Sequence, residues 1–435
     1  MRVLQTLARA ADESVPAVPS TLLPSAARAF GFNVVGFVSG NLGLGVFTRN
    51  VAAALLTHGF PVAVLDLDPG DGRFRHDRRY RDLEVPAFEA LPYAVNLFVL
   101  PLHMVAGVVL NKWPAFARDD ALNVIGLLWE LPAIPPVARR ALEFFDVVLA
   151  FSTFVQHACD FVLSGPVVLP GKLPVELPPG IVAARRRFGI AESDFAFVAS
   201  LELASDPQRK NAGAVIDAFV RGTGEHANAR LIVHVNNART AGRSANALDA
   251  LRRAAATDSR VRIDTETLSY EETLTLYASG DAYVSLHRAE GFGLGPYEAM
   301  SLGKPAIATA WSGNMTYMDA ANACLVSYRL VPVESSSEAY SADTLAGLDA
   351  VWADPDVAAA ADWMRRLLSD TELCARIGGC ARASIAAFHE DARAARFAAS
   401  LREFWQQRLF TGGTRNHVAR VEALQQAVSD RRRPT

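Results

Sequence analysis

Cysteine is scarce: four residues in a chain of 435, at positions Cys159, Cys324, Cys374 and Cys380. None shows the C-x2-C spacing of a zinc site, and no disulfide framework is signalled. Their apolar or helical surroundings read as reduced core thiols, which suits a cytoplasmic protein. A charge excess is missing too. The formal net charge is −3, which argues against nucleic acid as the main partner. Only one stretch, Leu91 to Leu110, approaches the length of a membrane span, and Asn96, Pro101 and His103 interrupt it. It reads as a buried strand, Val95 to Leu100, and a buried helix from Met104 to Leu110. The first residues, MRVLQTLARAADES, carry acids where a secretory signal needs an apolar core. No repeat of solenoid or propeller length is visible.

What is present is hydrophobic residue, 51% of the chain, enough for two domains with full cores. Residues Pro16 to Ser25 form a loose lead-in rich in Pro, Ser and Ala. Asn33 to Ser39 is the first convincing strand. A glycine loop follows, with Gly40, Gly43 and Gly45, then a helix from Val46 to His58 and a strand from Val62 to Asp66. Asp66 even sits where a dinucleotide fold keeps its ribose-binding acid. The loop spacing, however, is G-x-x-G-x-G and not G-x-G-x-x-G. A nicotinamide oxidoreductase therefore stands only as a rival reading. A tight turn with close helix packing explains the same glycines structurally.

Further strands at Asn123 to Leu128, Asp146 to Ser152 and Val167 to Pro170 complete the first half. Pro170 to Gly180 reads as a proline-rich linker. In the second half, strands are expected at Phe195 to Ser200, Arg230 to Asn236, Val261 to Asp264, Ala282 to Leu286 and Ala306 to Thr309. Asp354 to Ile377 reads as helix. Ser384 to Leu409 reads as a long amphipathic helix burying Phe388, Phe397 and Phe404, with a polar tail from Thr411. The division implied is a lead-in over 1–30, α/β domains over 31–180 and 181–385, and a terminal helix and tail over 386–435.

The chemistry concentrates in Ser285 to Asn314. A buried strand runs into a loop with Gly291, Gly293 and Gly295. Pro296 is placed at the first position of a helix that stops at Gly303. Such a loop lies at the carboxyl end of its strand, where open α/β sheets bind ligands. Its amides and the helix N-terminus make an anion site. Glu290 and Glu298 flank the loop. Each can be a cap or a solvated acid, but together with three glycines they suit a sugar nucleotide. One binds sugar hydroxyls, the other a ribose diol. Arg209 and Lys210, just before a helix from Ala212 to Arg221, supply charge for a diphosphate.

Glu290-Gly291-Phe292-Gly293-Leu294, Glu298-Ala299-Met300 and Gly303-Lys304-Pro305 together resemble the E-x7-E signature of retaining glycosyltransferases of family four. The following Trp311-Ser312-Gly313-Asn314-Met315 and the earlier Trp129-Glu130-Leu131-Pro132 look like the branch that builds bacterial surface polysaccharides. The resemblance covers most of Asn33 to about Ser384 and not the first thirty residues. It implies the GT-B fold, with two doubly wound Rossmann-like domains facing across a cleft and a terminal helix crossing back onto the first. It also implies transfer of a hexose from an NDP-sugar, GDP-mannose favoured, to a glycan or lipid-linked acceptor, with no cofactor.

Within that resemblance Arg209, Lys210 and Asn211 match the R-K-N element that grips the donor diphosphate. Glu290, Arg209 and Lys210 are the catalytic candidates. Gly43, Asn211, Gly291, Phe292, Gly293, Leu294 and Glu298 are donor-binding candidates, and Trp129, Glu130 and His103 acceptor-binding ones. For His103 and for the Trp129–Glu130 pair a purely structural role remains open. No D-x-D element stands beside the site, since Asp66-Leu67-Asp68 belongs to the other domain, so no essential metal is expected. The basic run Asp71 to Asp82 reads as a solvated loop or as a contact with anionic lipid through Arg73, Arg75, Arg78, Arg79 and Arg81. The remaining rival is a non-catalytic subunit that binds sugar nucleotides.

Overall fold

Short runs of aliphatic residues, buried on both faces, build two parallel sheets in the computed structural model of the chain. It describes residues 28–67, 77–102, 104–105, 121–142, 144–160, 167–172, 175–238, 245–335, 337–342, 344–391 and 394–411. The first sheet holds β1 (Phe32–Gly36), β2 (Val62–Asp66), β3 (Val95–Pro101), β4 (Leu122–Leu128), β5 (Val147–Ala150) and β6 (Val167–Pro170). Its strand order is β2-β1-β3-β4-β5-β6. The second holds β7 (Phe195–Glu202), β8 (Ala229–Asn236), β9 (Val261–Asp264), β10 (Ala282–Ser285), β11 (Ala306–Thr309) and β12 (Cys324–Val326). Its order is β12-β11-β10-β7-β8-β9. Read from its first strand, the second sheet has the 3-2-1-4-5-6 order of dinucleotide-binding sheets. Its order reverses between β7 and β10, and the ligand crevice of such a sheet lies at that point.

Register in the first sheet is pinned by a buried polar ladder. Asn33 faces Asn96, and Asn96 faces Asn123. The Asn33 amide donates to Asn96 Oδ1 at 2.8 Å, and Asn96 donates to Asn123 Oδ1 at 2.9 Å. A slip of one strand would bury these amides without partners, at a cost of about 1–3 kcal/mol each. Leu91 to Leu110 is no span where it is described, since β3 sits inside a sheet. No described helix is long and apolar enough to cross a membrane.

Three differences from the sequence reading have local causes. The helix after the glycine loop runs Leu294–Ser301, so Pro296 is its third residue and not its first. Gly293, at φ 84°, is the cap, because its carbonyl already accepts from Tyr297 N at 3.2 Å. Proline is tolerated there because no N–H of a first helical turn has an intrahelical partner. The helix expected from Asp354 starts at Val357, because Asp354 and Pro355 end a strand, β14 (Val351–Pro355), that pairs antiparallel with β13 (Tyr328–Pro332). Pro355 ends the strand, and Asp356 then caps a helix over Val357–Ser369 by accepting from Ala358 N and Ala359 N. The expected last helix is two, Thr371–Asp391 and Ala394–Thr411.

The terminal helix packs back on the first sheet. Phe397, Ala398 and Leu401 share a core with Phe32, Val51 and Val62. The Arg402 guanidinium lies 4.6 Å from the Phe30 ring centroid. The side chain of Phe404 and the polar tail lie outside the described residues.

Candidate active site

The carboxyl ends of β7 and β10 bring the two charged motifs together. After β7, Asp206 adopts φ 68° and its carboxylate accepts from Gln208 N at 2.8 Å and Arg209 N at 3.0 Å. Asn211, at φ 53°, closes this single turn. Two such residues in the left-handed region cost of order 1–3 kcal/mol each and persist only where surrounding contacts impose them. The contacts come from the exit of β10. Asn211 Nδ2 donates to Leu286 O at 2.9 Å, and Arg288 N donates to Arg209 O at 2.8 Å.

After β10, Glu290 is clamped through its backbone. Its N–H donates to Ser312 Oγ at 2.8 Å, and its carbonyl accepts from Gly313 N at 2.8 Å. Gly313 has to be glycine, because a Cβ there would lie 2.2 Å from Gly291 O. The buried Tyr317 hydroxyl donates to Gly293 O and fixes the loop's second half. His287, which sequence reasoning missed, braces the same region. Its Nδ1 lies 3.0 Å from Ser285 Oγ and its Nε2 3.1 Å from Asn314 Oδ1. Burial pulls its pKa below the ordinary value, so the ring is neutral near pH 7.

The side chains form a neutral cluster of four charges. Lys210 Nζ lies 2.5 Å from Glu290 Oε1, and Arg209 Nη1 lies 3.3 Å from Glu290 Oε2. Arg209 Nη2 lies 3.7 Å from Glu130 Oε1, across the cleft on the first domain. Burial alone would raise the Glu290 pKa, but Lys210 and Arg209 overcome it and hold the carboxyl at about 2. Burial pulls the Lys210 ammonium down, opposed by Glu290. Burial also opposes the Arg209 charge, but Tyr340, Glu130 and Glu290 outweigh it and keep the guanidinium protonated.

Glu298 behaves differently. It is 3% exposed, its Oε1 has no hydrogen-bond partner, and burial pushes its pKa up to about 8. The Tyr270 hydroxyl moderates that shift without a well-formed hydrogen bond. Two acids eight residues apart thus sit in opposite protonation states near neutral pH.

One cavity of about 150 Å³ joins much of this. Lys210, Glu290, Leu294 and Glu298 line it from the second domain, and Gly43 from the first. Gly291, Phe292 and Gly293 stand beside it, with the Phe292 ring turned away against Phe47 of the first domain, 5.2 Å between centroids. Trp129 is 4% exposed, and its Nε1 donates to Ala133 O at 2.8 Å. Its ring lies against Tyr340 instead of standing open in the cleft. Glu130 faces Arg209. Sequence reasoning missed the tyrosines of the wall, Tyr270, Tyr277 and Tyr283, and the asparagines Asn41 and Asn236.

The other candidate residues lie elsewhere. His103, Arg73 and Arg75 lie outside the described residues. Arg78 and Arg81 are exposed, and Arg79 pairs with Asp77 at 2.9 Å and, across the cleft, with Glu271 at 3.1 Å. Among the described residues no group of three or more His, Cys, Asp and Glu could hold a metal ion.

Residues 208–384, which include Arg209, Lys210 and the glycine loop, match the family model of glycosyl transferases group 1. The match lies within the second domain. No curated protein sequence matches the chain. Among solved structures, sucrose-phosphate synthase from Thermosynechococcus elongatus is similar at TM-score 0.58 and 16% identity, over 87% of this chain and 100% of that one. Anabaena Alr3699/HepE, in complex with UDP-glucose, is similar at TM-score 0.58 and 17% identity, over 85% and 99%. The chain spans 57% of the length of the pneumococcal O-GlcNAc transferase GtfA, at 13% identity, 72% coverage of this chain and TM-score 0.47. The two Rossmann-like α/β domains, facing across a cleft, thus have the GT-B fold.

Proposed function

We propose that the protein is a retaining glycosyltransferase of family four. In this reading it moves a hexose from an NDP-sugar, GDP-mannose favoured, to a glycan or lipid-linked saccharide in surface polysaccharide biosynthesis. The observation that carries the reading is the convergence on one cavity of Lys210, the glycine-loop helix and two glutamates in opposite protonation states, with Arg209 beside them. The similar structure from Anabaena holds UDP-glucose, which supports a nucleotide sugar as the donor class.

The roles follow from charge. Arg209, Lys210 and the amides of Gly291 to Leu294 bind the diphosphate and stabilise the negative charge that grows on it as the sugar leaves. Glu290 touches the transferred sugar, and its ion pairs keep it ionised. Glu298 accepts the ribose diol, for which it must release its proton. The cavity is smaller than the roughly 300–1,000 Å³ of ordinary ligand sites. Donor entry therefore requires the domains to part and close again. The cations do the work of a metal, so none is essential. Acceptor groups come from the first domain, and the exposed Arg78 and Arg81 offer cations to an anionic membrane.

The test is incubation of the purified protein with GDP-, UDP- and dTDP-sugars and a saccharide acceptor, reading nucleotide release and the anomer of the product. Transfer with retention is the expected result. Inversion refutes the family-four assignment. Binding without turnover favours a non-catalytic subunit, and binding of NAD instead favours an oxidoreductase.

A further inference from the structure

Between β13 and β14 the second domain sends a strap over the cleft onto the first. Leu345 and Tyr340 of this strap are buried in one core with Ile134 and Ala138 of the first domain. The Tyr340 ring lies between Trp129 of the first domain, at 5.9 Å, and Trp352 of β14, at 6.2 Å. This sandwich puts the Tyr340 hydroxyl where it donates to Glu130 Oε2 at 2.9 Å. Glu130 turns its other oxygen to Arg209. The same strap also reaches the backbone of that turn, because Ser335 Oγ donates to Asp206 Oδ2, and Asp206 caps Arg209 N.

We propose that Tyr340 and Glu130 are positioning residues that aim the Arg209 guanidinium, so that the phosphate clamp is complete only when the cleft is closed. The proposal rests on the transferase reading above. Arg209 is 4% exposed, and its Nε has no partner. Its aim therefore depends on the groups that hold Nη1 and Nη2. Those are Ala289 O at 2.7 Å, Ser205 O at 2.9 Å, Glu290 and Glu130. Of these only Glu130 belongs to the first domain. When the domains part, Glu130 leaves with Trp129, and the guanidinium loses the carboxylate that opposes the pull of Glu290. Closing restores it, and Tyr340 fixes the carboxylate's orientation. Leaving-group stabilisation is thereby withheld from an open cleft, where water would intercept the sugar.

The experiment uses Tyr340→Phe, Glu130→Gln, their double variant, and Tyr340→Phe combined with Arg209→Ala. Tyr340→Phe keeps both ring stacks and removes one hydroxyl bonded to a carboxylate. Such a bond is worth about tenfold or more in rate if the reaction depends on it. The expected result is a tenfold fall in kcat, a smaller change in donor KM and an unchanged melting temperature. In the Arg209→Ala background Tyr340→Phe should have no further effect, because there is nothing left to aim. Arg329→Ala, on the exposed strand β13 that leads into the strap, should match wild type. Full activity in Tyr340→Phe, or an equal loss in the Arg209→Ala background, overturns the proposal. Small-angle scattering reads the latch without activity. Glu130→Gln should increase the radius of gyration, and an unchanged radius counts against a closing role. If wild type transfers no sugar from any donor but Glu130→Gln still opens, the latch stands and the transferase reading fails.

Discussion

Replacing Glu298 by glutamine removes one titration and very little else. The folded protein holds this carboxyl's proton to about pH 8, against an ordinary value of 4.5, because burial disfavours the anion. Between those values the folded chain keeps a proton that the unfolded chain has released. Stability therefore falls as pH rises, by about 1.4 kcal/mol per pH unit. The interval, about 8 minus 4.5, is about 3.5 units, so the loss is on the order of 3–5 kcal/mol and complete above pH 8. Below pH 4.5 the contribution is fully present. Glutamine imitates the protonated acid at every pH. The assay is urea unfolding of wild type and Glu298→Gln at pH 5, 7 and 9, where the difference between the two cancels all other titrating groups. The difference should move in favour of the variant by several kcal/mol from pH 5 to pH 9. A constant difference would refute the claim that burial holds the proton.

Three further outcomes follow from the same charges. Glu290→Gln should lower kcat by tenfold or more, and Glu298→Gln should chiefly raise the donor KM, because the ribose contact exists in ground and transition states alike; identical kinetic signatures would merge the two roles. Activity should survive EDTA, and loss on chelation with recovery on added magnesium or manganese would contradict a clamp made of cations and amides. Donor affinity in calorimetry should strengthen as pH rises from 6 to 8, since ribose binding needs the Glu298 anion, and an affinity independent of pH would remove Glu298 from the ribose.

The sheets were legible because parallel strands buried on both faces announce themselves as aliphatic runs between glycine loops. Val261–Asp264 and Ala306–Thr309 appear with the bounds their sequence suggests. The pairing of Arg209 and Lys210 with Glu290 was legible only as shared chemistry. Residues 80 apart meet because β7 and β10 are neighbours, which spacing does not state. The strap was illegible for a different reason. Asp354-Pro355-Asp356 reads as the start of a helix until Val351–Pro355 is known to pair with Tyr328–Pro332. Trp129 is an acceptor-binding candidate from its place in the W-E-L-P element, but Tyr340 covers its ring. Protonation was invisible as well. Glu290 and Glu298 have the same side chain, and only burial with or without cations separates about 2 from about 8.

The central claim is that the cavity beside Arg209 and Lys210 binds the diphosphate of a nucleotide sugar. Titration of wild type, Arg209→Ala and Lys210→Ala with GDP-mannose and UDP-glucose, followed by the shift in melting temperature, tests it most directly. Wild type should gain several degrees with at least one of the two donors, and each variant should lose most of that gain while folding normally without ligand. An equal gain in all three proteins, or none in wild type with either donor, would contradict the account.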